Sequence, residues 1–244
     1  MIEIDINCDL GEGVGNEAFL MPFISSCNIA CGGHAGNKMT MSIVADLAEK
    51  YNVKIGAHPS FPDKENFGRK LLNMSPEALY DTVYTQIMSL KTILGNKGLN
   101  LHHVKPHGAL YNAAVVDKSV ARTIIKAVND IDSGLVLYAP YHSLSAEIAK
   151  QEGLQVMYEA FVDRNYNEDL TLVSRQQKTA LIDDADHMFE HMCHMILNGK
   201  IMTVTGVEVE VKADTFCIHG DHKNVLNNLE HLVGKLKENN IEIS

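Results

Sequence analysis

The sequence predicts an α/β fold in which a mainly parallel sheet is wrapped by helices, and three observations support this. Short apolar runs recur along the chain and end in Gly, Pro or polar residues, as buried strands do. Helical stretches separate most of these runs, and strands that alternate with helices form parallel sheets. The length of 244 residues suits one closed barrel or one large doubly wound sheet, so we expect one domain over residues 1–244.

Six of the apolar runs end in a cluster of small and reactive residues, and a seventh lies between the fourth and the fifth. The six runs are residues 2–9, 27–34, 53–59, 103–108, 158–164 and 216–221, and the seventh is 135–138. In a sheet of this type the parallel strands end at one face, where the loops carry the chemistry. We therefore expect the ionisable residues that follow these runs to converge in one cleft.

The first two long helices are predicted from apolar spacing and from capping residues. The helix over residues 37–51 carries apolar residues on one face at three- and four-residue steps: Met39, Ile43, Leu47 and Tyr51. Ser75 suits an N-cap and Pro76 suits the first helical position. Together they predict a helix that runs through Leu94.

Four further helices and one hairpin complete the predicted order of elements. The helices cover residues 117–128, 144–150, 178–198 and 224–239. Asp117 is placed to cap the first of them, and Gly199 is a natural stop for the third. Residues 200–212 alternate apolar and polar side chains around Gly206, which predicts an extra β-hairpin outside the main repeat.

Composition excludes several classes of partner. The formal charge of −10 argues against nucleic acid, because binding to a polyanion depends on a basic surface. No stretch approaches the roughly eighteen apolar residues that cross a membrane. The N-terminus carries neither a basic region nor a signal-like core. The five cysteines are odd in number and none forms a CxxC pair, so we expect reduced thiols and a cytoplasmic location.

Acidic residues and histidines follow the first three strands. Asp9 and Glu12 lie among glycines, where the backbone can pass close to a ligand, although a turn with solvated acids is the alternative. His34 and His58 end the second and third runs. A lone histidine is more often structural, but two histidines at equivalent strand ends favour a functional site.

The later strands end in cationic and acidic residues. Lys105 lies in an apolar strand and needs an anionic partner, either in a structural ion pair with Asp9, Glu159 or Asp163 or in a substrate. His107 follows it two residues later. Two further pairs, Asp163 with Arg164 and His219 with Asp221, join an acid to a cationic or titratable group, as general acid–base chemistry requires. Isolated surface pairs are the alternative.

Two other groups of reactive residues are weaker candidates. His187, His191 and His194 form a stripe on the helix over residues 178–198, but the zinc-protease glutamate is missing and the apolar stripe lies elsewhere on that helix. Cys31 precedes Gly32 and Gly33, and a buried inert thiol explains it better than a nucleophile does.

Several blocks together resemble the LamB/YcsF (lactam utilisation) family. They are residues 7–13, 28–32, 56–63, 67–69, 104–112 and 219–221, and the resemblance extends from Asn7 to about Asp221. It implies an irregular seven-stranded (β/α) barrel of the glycoside hydrolase/deacetylase type. It also implies that the chain is the A-type component of a 5-oxoprolinase. Such an enzyme hydrolyses the lactam of 5-oxo-L-proline to L-glutamate with ATP as co-substrate. The 5-oxoprolinase subunits B and C are the implied partners.

For the implied reaction we assign roles to the site residues as a hypothesis. The catalytic set is Asp9, His58, Lys105, His107, Asp163, His219 and Asp221, and the substrate-binding set is Glu12, His34, Arg69 and Arg164. We expect Asp9 or Asp221, with His219 or His58, to handle the attacking water. Lys105 and Arg164 would hold carboxylate or phosphoryl oxygens, and His107 would polarise the leaving group. The sequence has no phosphate-binding loop, which places ATP with or on the partner subunits.

Two other functions remain open from the residues. The first is a metal-dependent hydrolase or deacetylase of a carbohydrate-type substrate, with Asp9, His34 and His58 as candidate metal ligands. The second is a non-catalytic subunit that binds a ligand or organises partners. The density of ionisable residues at strand ends speaks against the second function.

The sequence departs from the family pattern at four places. Gly33 stands where an aromatic residue is usual, and Asn37 with Lys38 replaces the usual Asp-Pro. Leu170 occupies a glycine position, which changes the backbone freedom of its loop. His222 stands where Thr or Ser is common. These departures concern the identity of the substrate more than the fold or the class of reaction.

Overall fold

A computed structural model describes residues 2–244 and contains a closed barrel of seven parallel strands. The ten strands of the described chain are β1 (Ile2–Leu10), β2 (Ser26–Ala30), β3 (Lys54–His58), β4 (His103–Val104), β5 (Val136–Pro140), β6 (Gln155–Phe161), β7 (Lys200–Met202), β8 (Glu208–Glu210), β9 (Thr215–His219) and β10 (Ile241–Ile243). The barrel runs from β1 through β6 to β9, and β9 pairs with β1 to close it. The predicted seven-stranded barrel is confirmed, and the two-residue β4 is its shortest strand.

Helices cover the outside of the barrel. They are α1 (Glu17–Leu20), α2 (Lys38–Tyr51), α3 (Pro76–Asn96), α4 (Gly108–Val116), α5 (Lys118–Ile131), α6 (Leu144–Gln151), α7 (Ala185–Asn198) and α8 (Val225–Glu238), with a 3-10 turn at Met21–Phe23. The predicted caps are confirmed. Ser75 Oγ accepts a hydrogen bond from the Ala78 N–H, and Asp117 Oδ1 accepts from the second and third residues of α5. Gly199 ends α7 with φ 63°, the left-handed conformation that glycine favours. In the described part of the chain, no helix is long and apolar enough to cross a membrane.

The predicted apolar face of α2 is wrong. Met39, Ile43 and Tyr51 are exposed, and the helix instead packs on the barrel through Met41, Val44, Ala45 and Ala48. Both faces carry apolar residues at helical spacing, so periodicity alone does not distinguish them. The face with two alanines is buried because small side chains allow a helix to approach the strands closely.

The start of α7 also differs from the prediction. The helix begins at Ala185 rather than at residue 178, and Asp184 caps it by accepting a hydrogen bond from the His187 N–H. The preceding segment forms an isolated antiparallel bridge between Leu181 and Arg164. Pairing with the loop after β6 therefore overrides the helical pattern of residues 178–184.

Two small elements lie outside the barrel. The predicted hairpin is present as the antiparallel pair β7–β8, within residues 200–212. The C-terminal β10 was not predicted, and it adds in parallel to the outer end of β1 through Ile241 to Ile243. All five cysteines are free thiols, and four of them are buried in or beside strands, as expected.

A layer of buried polar side chains lies inside the barrel, and the absence of a side chain at Gly56 leaves space for His103 in this layer. A side chain at Gly56 would place its Cβ 2.0 Å from His103 Nε2. His103 instead fills that space, bonds to Asn28 Oδ1 at 2.8 Å and stacks on Tyr138. Buried polar groups need such partners. This hydrogen-bonded layer lies beneath the residues at the strand ends and supports them.

Candidate functional site

The carboxyl ends of the strands surround a cavity of about 510 Å³. Eight of the eleven predicted site residues line it: Asp9, Glu12, His58, Arg69, Lys105, His107, Arg164 and His219. The other three are close by. His34 stacks on His107 with ring centroids 3.6 Å apart, Asp163 binds His219, and Asp221 pairs with Arg69. The predicted convergence of strand ends in one cleft therefore agrees with the placement of these residues.

Lys105 is a fully buried cation that reaches the cavity. Its ammonium lies 2.9 Å from Asp9 Oδ1 and 2.8 Å from Glu159 Oε1, and it donates to Asn7 Oδ1 at 3.2 Å. Burial opposes its charge, but Asp9, Cys217 and Glu159 raise the pKa of Lys105 well above its ordinary value. Two of the three partners expected for it, Asp9 and Glu159, are confirmed, whereas Asp163 binds elsewhere.

Asp9 is held in place by three neighbours. Its position on β1 is in register with Asn28 on β2 and with His219 on β9. Oδ1 accepts from Asn28 and from Lys105, and Oδ2 lies 3.3 Å from His58 Nε2. Burial opposes ionisation, but His58 and Lys105 hold the pKa of Asp9 well below its ordinary value. Asp9 is therefore an anion at neutral pH.

Beside Asp9 lies a group that we term the histidine cluster: Glu12, His34, His58 and His107. One possible ligand atom from each of these four residues lies within 4.8 Å of the others. Glu12 Oε1 is 2.8 Å from His34 Nε2 and 3.4 Å from His107 Nδ1. Burial and the charge of Asp9 raise the pKa of Glu12 to about 7, and burial lowers the pKa of His34 to about 4.

The histidine cluster fits a metal ion by the chemistry of its donors. Three imidazoles and one carboxylate are the ligand types of zinc-class sites. The sequence-predicted ligands His34 and His58 belong to it, and Glu12 and His107 join them. Asp9 was also a candidate ligand; its Oδ1 accepts from Lys105 and Asn28, and its Oδ2 lies 3.3 Å from His58 Nε2. The four cluster residues could therefore hold one ion.

His219 and Asp163 form a second hydrogen-bonded pair, and His219 lines the cavity. His219 Nδ1 lies 2.9 Å from Asp163 Oδ2, which also accepts from the His219 backbone N–H at 3.0 Å. Burial opposes ionisation of Asp163, but His219 lowers the pKa of Asp163 to about 2. Because a carboxylate only accepts, the proton of neutral His219 is on Nδ1. Nε2 is then the nitrogen available as a base.

Two of the predicted arginines line the cavity. Arg69 pairs with Asp221 at 2.5 Å, and both side chains are partly exposed. Arg164 donates to the carbonyls of Val173 at 2.7 Å and of Ala180 at 3.3 Å. Arg164 therefore shapes the loop after β6 as well as lining the cavity.

Three residues of the site were not predicted as functional. Glu159 was expected only as an ion-pair partner, but it lies in the cavity wall with Tyr111 and Arg175. Burial and the nearby Glu159 raise the pKa of Tyr111 well above its ordinary value. A glutamate inside an apolar strand is the signal that could have identified Glu159, by the same argument that identified Lys105. Arg175 lies in a long loop, where spacing gives no such signal.

The two weaker candidates do not line the cavity. The Cys31 thiol is buried and lies 3.0 Å from the Ile29 carbonyl oxygen, and burial raises the pKa of Cys31 to about 12. Such a thiol is inert. In the histidine stripe of α7, His191 is buried whereas His187 is exposed. Among residues 2–244, the only metal-capable group is the histidine cluster.

Two departures from the family pattern have a local structural consequence. A Cβ at Gly33 would lie 2.4 Å from Gln86 Oε1, so the side chain of Gln86 occupies the space where an aromatic residue is usual. Leu170 has φ 63°, the left-handed region that costs a residue with a Cβ about 1–2 kcal/mol. Leu170 lines the cavity, so this strained residue also shapes the substrate space.

Comparisons with known proteins match nearly the whole chain. The sequence profile of the LamB/YcsF family matches residues 4–244. The 5-oxoprolinase A subunit of Bacillus subtilis is 41% identical over 249 residues, which cover 100% of this chain and 97% of that protein. The 5-oxoprolinase A subunit of Pyrococcus abyssi is 39% identical over 247 residues, which cover 99% of this chain and 97% of that protein.

Solved structures agree with the fold. The lactam utilization protein of Thermus thermophilus has a TM-score of 0.93 and 37% identity, with 99% of both chains covered. A family 4 carbohydrate esterase of Streptomyces lividans has a TM-score of 0.51 at 8% identity, over 99% of this chain and 91% of that one. The second likeness concerns the barrel alone, which is of the deacetylase type.

Proposed function

Because the chain belongs to the LamB/YcsF family, we propose that it is the component of an ATP-dependent 5-oxoprolinase that opens the lactam of 5-oxo-L-proline to give L-glutamate. The observation that carries this proposal is that the wall of one cavity contains both a buried cation, Lys105, and a base, His219. The His219 ring is held by the Asp163 carboxylate. The relatives are named as the A subunit of 5-oxoprolinase, which supports the substrate and the existence of partner subunits.

The chemistry of the lactam explains the need for ATP. A five-membered lactam is a resonance-stabilised amide, and its carbonyl carbon is a poor electrophile. Transfer of the ATP γ-phosphoryl group to the lactam oxygen creates a leaving group at that carbon. Water then adds to the carbon, the ring C–N bond breaks, and the nitrogen takes up a proton, which leaves the acyl phosphate of glutamate. A second water cleaves this acyl phosphate, so the products are glutamate, phosphate and ADP.

His219 is proposed as the general base for the water. Its Nδ1–H is held by Asp163 at 2.9 Å, which fixes the ring and stabilises the imidazolium that forms. The other candidates are less suitable. His58 Nε2 lies 3.3 Å from Asp9 Oδ2, and Asp221 is paired with Arg69. Of the candidates that the sequence leaves open, we therefore propose His219 as the base.

Cations in the cavity wall are proposed to hold the negative charge of the substrate. Lys105 would stabilise the oxygen on which charge develops, because a preorganised cation in a buried site acts most strongly there. Arg69, Arg164 and Arg175 also line the cavity and would receive the substrate carboxylate or phosphoryl oxygens. An ion held by the histidine cluster would act as a Lewis acid toward the lactam carbonyl.

ATP is proposed to bind on subunits B and C, or between them and this chain. The sequence lacks a Walker-type loop, in which consecutive backbone N–H groups cradle the phosphates. On this proposal the partner subunits carry out the phosphorylation step, and this chain carries out the ring opening.

The proposed function is tested by glutamate release from 5-oxoproline, with and without ATP, by this chain alone and by this chain mixed with subunits B and C. We expect release only with ATP and all three chains, and none from the mixture that lacks this chain. An acetylated sugar is offered in parallel as the alternative substrate. Release of acetate by this chain, with no glutamate from any mixture, would overturn the proposal in favour of a deacetylase.

A further inference from the structure

The histidine cluster has a hydrogen-bonding pattern that neutral imidazoles cannot satisfy. His58 Nδ1 lies 2.7 Å from the Lys105 carbonyl oxygen, and His107 Nε2 lies 2.9 Å from the Phe67 carbonyl oxygen. A carbonyl oxygen only accepts, so both of these nitrogens carry the ring proton. The two remaining nitrogens, His58 Nε2 and His107 Nδ1, then face each other with lone pairs at 2.9 Å. Two lone pairs at this distance repel, so a cation is required beside them.

The buried acidic side chains around the cluster independently favour a cation there. Asp9, Glu12 and Glu159 are carboxylates whose side chains are at most 4% exposed. In the part of the chain that the structure describes, Lys105 provides the one buried ammonium nearby. This ammonium contacts Asp9 and Glu159 but not Glu12. Glu12 is thus left without an ammonium in contact, and a dication beside it would supply that positive charge. Buried charges in proteins are paired or coordinate metals.

We propose that Glu12, His34, His58 and His107 bind one divalent transition-metal ion of the zinc class. Histidine ligands are typically oriented by a backbone carbonyl or carboxylate on the far nitrogen, as His58 and His107 are. Imidazole donors favour zinc and its neighbours, whereas magnesium and calcium favour oxygen ligands. A metal at His34 Nε2 requires that this nitrogen carry no proton, so the ring proton would lie on Nδ1, which has no other partner among the described residues.

Three of the four proposed ligands line the cavity, and the fourth, His34, is buried next to them. Glu12, His58 and His107 line the cavity, while His34 is buried and stacks on His107 at 3.6 Å with an interplanar angle of 2°. Gly68 closes the back of the cluster, because a Cβ there would lie 2.9 Å from the His34 Cβ. This inference concerns binding by the chain itself and does not depend on the substrate.

The test uses the full chain after dialysis against a chelator, titrated with Zn²⁺ by calorimetry, with bound metal counted by elemental analysis. We expect one Zn²⁺ per chain and no comparable binding of Mg²⁺. Loss of an orienting partner alone weakens metal sites by about 10–100-fold, so loss of a ligand in His107→Gln or Glu12→Gln is expected to weaken affinity by at least ~100-fold. His187→Gln, at the exposed histidine of α7, is the matched control and is expected to leave affinity unchanged.

The proposal is overturned if the native chain binds no Zn²⁺, because the cluster would then be held by a shared proton. It is also overturned if the Glu12→Gln chain binds as tightly as the native chain. Substitution with Co²⁺ gives a second readout, since its visible absorption reports nitrogen and oxygen ligands directly. Glu12→Gln changes one oxygen to an amide nitrogen and keeps the side-chain volume. It therefore remains a test of ligand loss if His107→Gln does not fold.

Discussion

Replacement of Lys105 by Met is expected to lower the free energy of unfolding by about 3–5 kcal/mol and to abolish ring opening. The substitution keeps a long apolar stem but removes the ammonium that lies 2.9 Å from Asp9 and 2.8 Å from Glu159. Both carboxylates would remain buried without a counter-charge, which is the costly way to break a buried ion pair. Urea unfolding and the glutamate-release assay measure the two effects.

A second substitution separates the structural and the catalytic parts of this effect. In Lys105→Met combined with Glu159→Gln, one buried charge is removed together with its partner, so we expect stability to recover in part and activity to stay lost. Lys91→Met, which removes an exposed pair with Asp132 at 2.8 Å, is the control and should change stability by about 0.5 kcal/mol or less. Native ring opening by the Lys105→Met chain would exclude Lys105 from the chemistry.

Replacement of Gly220 by Ala is expected to reduce kcat/KM by about 100-fold, since a misplacement of about 1 Å at an active site has an effect of this size. A Cβ at Gly220 would lie 2.4 Å from the backbone carbonyl oxygen of Asp9. Neither backbone can yield without moving a strand end, so His219 and Asp9 would shift relative to each other. The steady-state rate of glutamate release and a thermal melt measure the effect.

Gly234→Ala is the matched control for this substitution. Gly234 lies in α8, and a Cβ there meets no atom within 4 Å. Alanine favours helices, so we expect this variant to gain about 0.5–1 kcal/mol in stability and to keep the native rate. If Gly220→Ala instead kept full activity with a well-folded chain, the close approach of residue 220 to Asp9 would have no part in positioning the site.

Much of this fold follows from the sequence because strand ends and caps are local signals. Apolar runs closed by Gly or Pro predicted the barrel strands, and Asp117 predicted the start of α5. The buried face of α2 could not be predicted, because two faces of that helix carry apolar spacing and only packing on the barrel selects between them. The start of α7 depended on a bridge between Leu181 and Arg164, which local propensity does not report.

The candidate site likewise has some features that the sequence predicts and others that only the folded structure reveals. A lysine inside an apolar strand requires an anion, so the partners Asp9 and Glu159 could be anticipated from the sequence. The protonated nitrogens of His58 and His107 could not be anticipated, because they depend on backbone carbonyls that only the folded chain brings near. The sequence therefore identifies which groups converge, and the fold determines which nitrogen faces which partner.

The most direct test of the proposed ring opening is glutamate release by the assembly with subunits B and C when this chain is native or carries His219→Asn. An asparagine amide can keep a donor toward Asp163 but provides no base, so the fold should remain while the base is lost. We expect a drop of about 10²–10⁴-fold in the rate of glutamate formation from 5-oxoproline and ATP. A rate equal to that of the native assembly, from a folded and assembled variant, would contradict the claim that this cavity opens the lactam.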